Sequence, residues 1–120
     1  MKQELEKKNL PIKSINKILE LINIKGKNNQ DKIDNLKKIL SSQDGLLEIE
    51  KTLSYLDDKE NVVFLPSLAR GLAYYTGNIF EVFLKDKSKI NCSLAGGGRY
   101  DKMIGNFLDF KKEIPAIGIS

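Results

Sequence analysis

The sequence contains no histidine, no tryptophan and a single cysteine, Cys92, in 120 residues. Without histidine, and with one cysteine, no common zinc ligand set can be assembled. The same shortage excludes a Ser-His-Asp or Cys-His nucleophilic triad within the chain. A lone cysteine makes no internal disulfide, which fits a reducing cytosol. No apolar run approaches the roughly 18 residues needed to cross a bilayer, and no apolar stretch of the kind that marks a secretory leader opens the chain. Arginine is scarce too. Of 20 basic residues, 18 are lysine, set against 16 acids.

What is present is ordinary in amount and uneven in distribution. A hydrophobic share of 41% supplies a core and argues against wholesale disorder. The length fits one modest domain or two small lobes. A net charge of +4 is milder than the strong, clustered basic face that a dedicated nucleic-acid domain would show. Residues 1–60 carry 12 Lys and 11 acids, which reads as a solvated, charge-interspersed helical surface. They hold 2 of the 9 glycines and 1 of the 9 aromatics, so composition changes near residues 59–61. The expected organisation is a helical lobe over residues 1–60 and a sheet-rich part over 61–120.

In the first part, Ile12, Ile15, Ile18, Leu19 and Ile22 recur at helical spacing. Pro11 suits a first turn and Gly26 a stop. Ile33, Leu36, Ile39 and Leu40 mark a second helix, capped by Asn29 or Asp31. Leu46, Ile49, Leu53 and Leu56 mark a third, capped by Ser42 or Asp44. Leu5 belongs to a short leading helix. In the second part, residues 62–65 read as a strand ended by Pro66, and 78–84 as another. A turn at 86–89 returns the chain antiparallel over 90–94. The glycines at 96–98 break regularity, a short helix covers Tyr100 to Phe107, and 114–119 form a last strand.

Two segments carry candidate chemistry. Residues 67–77 combine Arg70, Tyr74, Tyr75, Thr76, Gly71 and Gly77. Tyrosines provide an apolar wall with hydroxyl handles, and a guanidinium binds phosphate or carboxylate in a bidentate way. A tyrosine-rich edge strand with a structural arginine would give the same composition. Residues 94–101 contain Gly96, Gly97, Gly98, Arg99, Tyr100 and Asp101. Glycines there let backbone approach a ligand closely, or simply make a tight turn. No Walker lysine or strand–GxGxxG–helix arrangement is present. Glu81 is the one charge among Ile79, Phe80, Val82 and Phe83. It is either an exposed position or an acceptor in a pocket. Cys92 has no assigned role.

The run Ala69-Arg70-Gly71-Leu72-Ala73-Tyr74-Tyr75-Thr76-Gly77-Asn78-Ile79-Phe80-Glu81 is followed by Gly96-Gly97-Gly98-Arg99-Tyr100-Asp101. Together they resemble the two histidine-specific peptides of the histidyl-tRNA synthetases, written RGLDYYTGxxFE and GGGRYDxL. The resemblance implies an α+β fold: a helical insertion domain followed by part of the antiparallel catalytic sheet of a class II synthetase core. It implies activation of L-histidine by ATP with Mg2+, transfer to tRNA(His), a homodimer and a cytoplasmic location. It places Arg70 at the α-phosphate and the substrate carboxylate. Tyr75 and Tyr100 would face the imidazole, and Gly96, Gly97 and Gly98 would lie beside the amino acid. Tyr74 and Glu81 are further candidates. The family's frequent aspartate is Ala73 here. Motif 1, motif 2 and the Thr-x-Glu segment are missing, and residues 117–120 coincide with the expected start of motif 3. The expectation is therefore an internal portion of a longer enzyme, inactive and binding no cofactor tightly on its own. Two other readings share the residues. One is the synthetase-like regulatory subunit of ATP phosphoribosyltransferase, against which Arg70 argues. The other is a non-catalytic interaction module.

Overall fold

The computed structural model describes residues 2–57, 59–71, 73–86, 88 and 90–120. Contacts divide the chain into two compact units, Met1–Ser67 and Leu68–Ser120.

The described residues of the first unit form four helices: α1 (Lys2–Lys7), α2 (Ile12–Ile22), α3 (Asn29–Ile39) and α4 (Asp44–Ser54). Helix α1 ends at Lys7, and two residues on Asn9 has a φ of 56°, a left-handed conformation that asparagine tolerates. Pro11 stands at the N-cap of α2, where its lack of an N–H costs nothing. Helix α2 stops at Asn23, ahead of Gly26, and the Asn23 amide donates to the Leu19 carbonyl at 2.7 Å. The cap of α3 is Asn28, one residue before the expected Asn29. Its Oδ1 accepts from the Asp31 N–H at 2.8 Å. The N-cap position of α4 is Gln43, which makes no side-chain cap, so neither Ser42 nor Asp44 plays that part.

The helical stripes converge as their period requires. Ile33, Leu36 and Leu46 are buried, with Leu21, Ile24, Leu40, Ile49, Leu53 and Phe64 around them. Lys37 and Glu50 tie α3 to α4 at 2.6 Å, and Gln30 donates to the same carboxylate oxygen at 3.0 Å. Lys37, then Gln30, hold the Glu50 carboxyl below its ordinary range.

Residues 62–65 carry no regular secondary structure and join no strand. The expected strand is replaced by a side-chain ladder. The Asn29 amide donates to the Val62 carbonyl at 2.7 Å, and its oxygen accepts from the Phe64 N–H at 2.8 Å. Lys32 Nζ donates to the Phe64 carbonyl at 3.0 Å. Asn29 has one acceptor and two donors, so it satisfies the backbone as a neighbouring strand would. Residues 61–67 consequently pack with the helices.

The second unit is an antiparallel three-stranded sheet in the order β1 (Ile79–Val82), β2 (Ala95–Arg99), β3 (Ile117–Ile119), with the short helix α5 (Met103–Phe107) between the last two strands. The register pairs Ile79 with Gly98, Glu81 with Gly96, and Gly98 with Gly118. Two expectations are corrected here. The strand returning to β1 is 95–99, not 90–94, and the glycines at 96–98 do not break the sheet but form its centre. Glycine is poor strand material unless something approaches the backbone closely, and here two side chains, Arg70 and Tyr75, and the backbone of β3 do. Tyr100 lies before α5, not within it. The turn expected over 86–89 falls partly on Lys87 and Lys89, which lie outside the described residues. Asp86 accepts there from the Ser88 backbone N–H at 3.0 Å.

Candidate functional site

Directly opposed residues of an antiparallel pair share a face, and alternate residues of a strand return to it. One face of the sheet therefore carries Ile79 and Glu81 on β1, Gly96 and Gly98 on β2, and Gly118 on β3. Three of these five positions have no side chain. The space is taken by Arg70, Tyr75 and Tyr100.

Arg70 lies over Gly96. A Cβ on Gly96 would coincide with the Arg70 Nη1 position and stand 2.8 Å from Cζ. Nη1 donates to Glu81 Oε1 at 3.0 Å, both side chains being about one-fifth exposed. The Arg70 guanidinium also sits 6.0 Å from the centre of the Tyr75 ring. The Arg70 Nε is buried and meets no acceptor among the described residues. A buried donor without a partner is costly, so this guanidinium keeps hydrogen-bonding capacity beyond Glu81. Of the two readings of Glu81, the structure supports the half-buried acceptor, and the group it holds is Arg70.

Tyr75 lies over Gly98, where a Cβ would come within 2.8 and 2.9 Å of its ring and 2.7 Å of the Asn78 carbonyl. Tyr74 stacks beside it, ring centres 4.6 Å apart at 49°. Tyr74 also meets the edge of Tyr100 at 6.0 Å and 86°, the T-shaped arrangement that ring quadrupoles favour. A hydrogen bond with Tyr75 that favours the protonated form, with burial second, raises the Tyr74 hydroxyl above its ordinary range.

One predicted residue does not join the group. Gly97 belongs to the opposite face by alternation. A Cβ there would strike the Gly118 carbonyl oxygen and stand 3.0 Å from the Ile119 Cα. Its lack of a side chain serves the close approach of two strands. Leu72, inside the first motif, lies outside the described residues.

The structure adds residues that sequence reasoning did not assign. Asp101 is 8% exposed and joins three segments. Its carboxylate accepts from Arg99 Nε at 2.9 and 2.8 Å and from the Ala116 N–H at 3.3 Å. Its own N–H donates to Thr76 Oγ1 at 3.0 Å, and its carbonyl accepts from Ile114 at 2.8 Å. The Arg99 hydrogen bond is the main reason its carboxyl lies below the ordinary range. Thr76 N–H donates to the Arg99 carbonyl at 2.8 Å and Tyr100 N–H to the Ala116 carbonyl at 2.9 Å. Asp101 thus fixes the backbone beside both Tyr75 and Tyr100. The signal for it was its place within the second motif. Gly118 falls at the expected start of motif 3, but that place says nothing of the side chain it faces, Tyr100.

Among the described residues no three carboxylate, cysteine or histidine groups gather as a metal site. No helix of the described residues is long and apolar enough to cross a membrane.

Comparison with known proteins converges on one family. A family model described as Histidyl-tRNA synthetase matches residues 2–120. The histidine–tRNA ligase of Aeropyrum pernix is 39% identical over the whole of this chain, which covers 27% of that protein. Histidine–tRNA ligase 1 of Bacillus cereus is 46% identical over 80 residues, 64% of this chain and 18% of that protein. The crystal structure of histidyl-tRNA synthetase from Nostoc sp. PCC 7120 matches with a TM-score of 0.73 at 30% identity, over 98% of this chain and 29% of that one. The chain thus spans under a third of these relatives. With a match that takes in the helices as well as both motif-bearing strands, the chain belongs to the histidyl-tRNA synthetase family.

Proposed function

We propose that this chain supplies part of the histidine pocket and the α-phosphate contact of a histidine–tRNA ligase. The reaction begins when a histidine carboxylate oxygen attacks the α-phosphorus of ATP. A new P–O bond forms, the bond to the bridging oxygen of the β-phosphate breaks, and pyrophosphate leaves. The histidyl group of the adenylate then passes to a hydroxyl at the 3′ end of tRNA(His), releasing AMP.

The observation that carries the reading is the convergence of Arg70, Tyr74, Tyr75 and Tyr100 over a glycine floor. Negative charge on the non-bridging α-phosphate oxygens peaks as the fifth oxygen arrives. A guanidinium already held by Glu81 stabilises that charge with little reorganisation. Its Nε, without an acceptor among the described residues, is a donor in reserve for that oxygen or the carboxylate. Tyr75 and Tyr100 take the imidazole nitrogens. A residue unable to satisfy their hydroxyls is rejected because it would leave them unpaired. Gly96 and Gly98 permit this packing; Gly97 serves the sheet. Residues 1–60 act as the helical insertion domain and 61–120 as part of the catalytic core. ATP with Mg2+, tRNA(His), a homodimer and a cytoplasmic setting complete the reading by family.

The experiment is histidine-dependent ATP–pyrophosphate exchange by the synthetase carrying this segment. Arg70→Gln should lower exchange at least about a hundredfold, as loss of a transition-state donor does. Tyr100→Phe should act mainly through the histidine KM. Unchanged exchange in Arg70→Gln would end the assignment. The 120 residues alone should bind L-histidine weakly and catalyse no exchange; clear turnover would contradict this.

A further inference from the structure

We infer that Gly118 is a positioning residue of the site, acting as the seat of Tyr100. This rests on the site reading above and adds a residue outside both motifs. A Cβ built on Gly118 would lie 2.5 Å from the Tyr100 hydroxyl oxygen, 3.2 Å from Cε1 and 3.3 Å from Cζ. Its three nearest neighbours all belong to Tyr100, and none is backbone. That separates it from Gly97, whose absent side chain leaves room for a neighbouring strand, and from Gly98, which faces both a ring and a carbonyl.

The register explains the arrangement. Gly118 pairs with Gly98, and the Tyr100 N–H donates to the Ala116 carbonyl at 2.9 Å. That backbone bond fixes where Tyr100 starts. Gly118 fixes where it ends, because the hydroxyl end of the ring occupies the space a side chain at 118 would take. The Tyr74 ring packs against the same ring, centres 6.0 Å apart. Any side chain at 118 lifts the hydroxyl end and leaves the root of the ring held. The consequence is a displaced polar atom rather than a broken sheet. For a pocket that selects by hydroxyl placement, such a displacement costs affinity for the ligand that meets the hydroxyl and for no other.

The test compares Gly118→Ala, Tyr100→Phe and the double variant in this chain, by thermal unfolding, aromatic NMR and L-histidine titration. Gly118→Ala should keep Tm within about 3 °C of the parent. It should abolish the Tyr74–Tyr100 ring cross-peak and raise the histidine Kd about tenfold. In the Tyr100→Phe background, where the atom 2.5 Å away is gone, the same substitution should leave the ring cross-peak in place and change Kd less than twofold. An intact Tyr74–Tyr100 cross-peak in Gly118→Ala would overturn the inference. So would an equal loss in both backgrounds, which would mean that the added methyl acts through the backbone. If the parent chain shows no saturable response to L-histidine, the pocket reading fails, and the ring cross-peak alone decides whether Gly118 seats Tyr100.

Discussion

The two units specify themselves in opposite ways. Met1–Ser67 is defined by side chains: Ile33, Leu36 and Leu46 fill a core between α3 and α4, as helical spacing requires. Leu68–Ser120 is defined at its centre by missing side chains: Gly96, Gly98 and Gly118 make a floor occupied by Arg70, Tyr75 and Tyr100. A helical core tolerates substitution that keeps volume and pattern. A glycine floor tolerates nothing larger, yet what it loses differs at each position. The comparison teaches that in the second unit stability and site geometry are encoded in adjacent residues of one strand.

The largest effect is expected in the helices. Ile33 is fully buried, so Ile33→Ala should cost about 3–4 kcal/mol through lost burial and an unfilled cavity. Denaturant unfolding followed by helical ellipticity measures it; a loss under about 1 kcal/mol would show that the core repacks freely. Next comes Gly97→Ala, where the methyl meets the Gly118 carbonyl oxygen. Separating two strands at their centre should cost about 2–3 kcal/mol. Gly96→Ala supplies the contrast, because the atom it meets is the end of the Arg70 side chain. Its stability should change little while the Arg70–Glu81 pair is lost. Equal destabilisation by the two substitutions would erase the distinction drawn between them.

Legibility follows the same division. The helices were readable because one segment contains its whole pattern: Ile12, Ile15, Leu19 and Ile22 announce α2 without reference to any other residue. The site residues were readable only as family motifs. Gly96–Gly98 in isolation suggested a break in the sheet, since nothing local says that Arg70 and Tyr75 will fill the space. Asp101 was visible as a motif letter, but its bonds to Thr76, Arg99 and Ala116 join positions up to 25 apart in sequence. Gly118 was silent for the same reason.

Residues 62–65 show how alternation can mislead. Val62 and Phe64 turn inward while Val63 and Leu65 stay 60% and 47% exposed, a strand-like pattern without a partner strand. The Asn29 side chain replaces the partner. Asn29→Ala leaves a carbonyl and an N–H to find water, and should cost about 1–2 kcal/mol. Chemical denaturation of the parent and variant reads it. Asn29→Asp keeps the acceptor for Phe64 and loses the donor to Val62, so it should fall between them. An aspartate as damaging as alanine would mean that the Val62 bond carries the whole effect.

The smallest effect, and the sharpest contrast, concerns two acids. Glu50 in the helical unit and Asp101 in the sheet unit both have lowered pKa values, each mainly through a hydrogen bond to a base. A carboxyl whose folded pKa lies below its unfolded value stabilises fully above the unfolded value, about 3.9 for Asp and 4.3 for Glu. That contribution is lost as pH falls through the folded value. Asp101→Asn and Glu50→Gln should therefore each lower Tm at pH 7, and each gap to the parent should narrow on acidification. Salt should separate them. Lys37 and Glu50 have side chains 28% and 23% exposed, whereas the Asp101 side chain is 11% exposed and also accepts from the backbone. Raising ionic strength to about 1 M shortens the screening length to about 3 Å. It should close most of the Glu50 gap and little of the Asp101 gap. Identical salt responses would mean that Asp101 acts as a surface charge, and the anchoring of Tyr75 and Tyr100 would then have to come from the Thr76 and Ala116 backbone bonds alone.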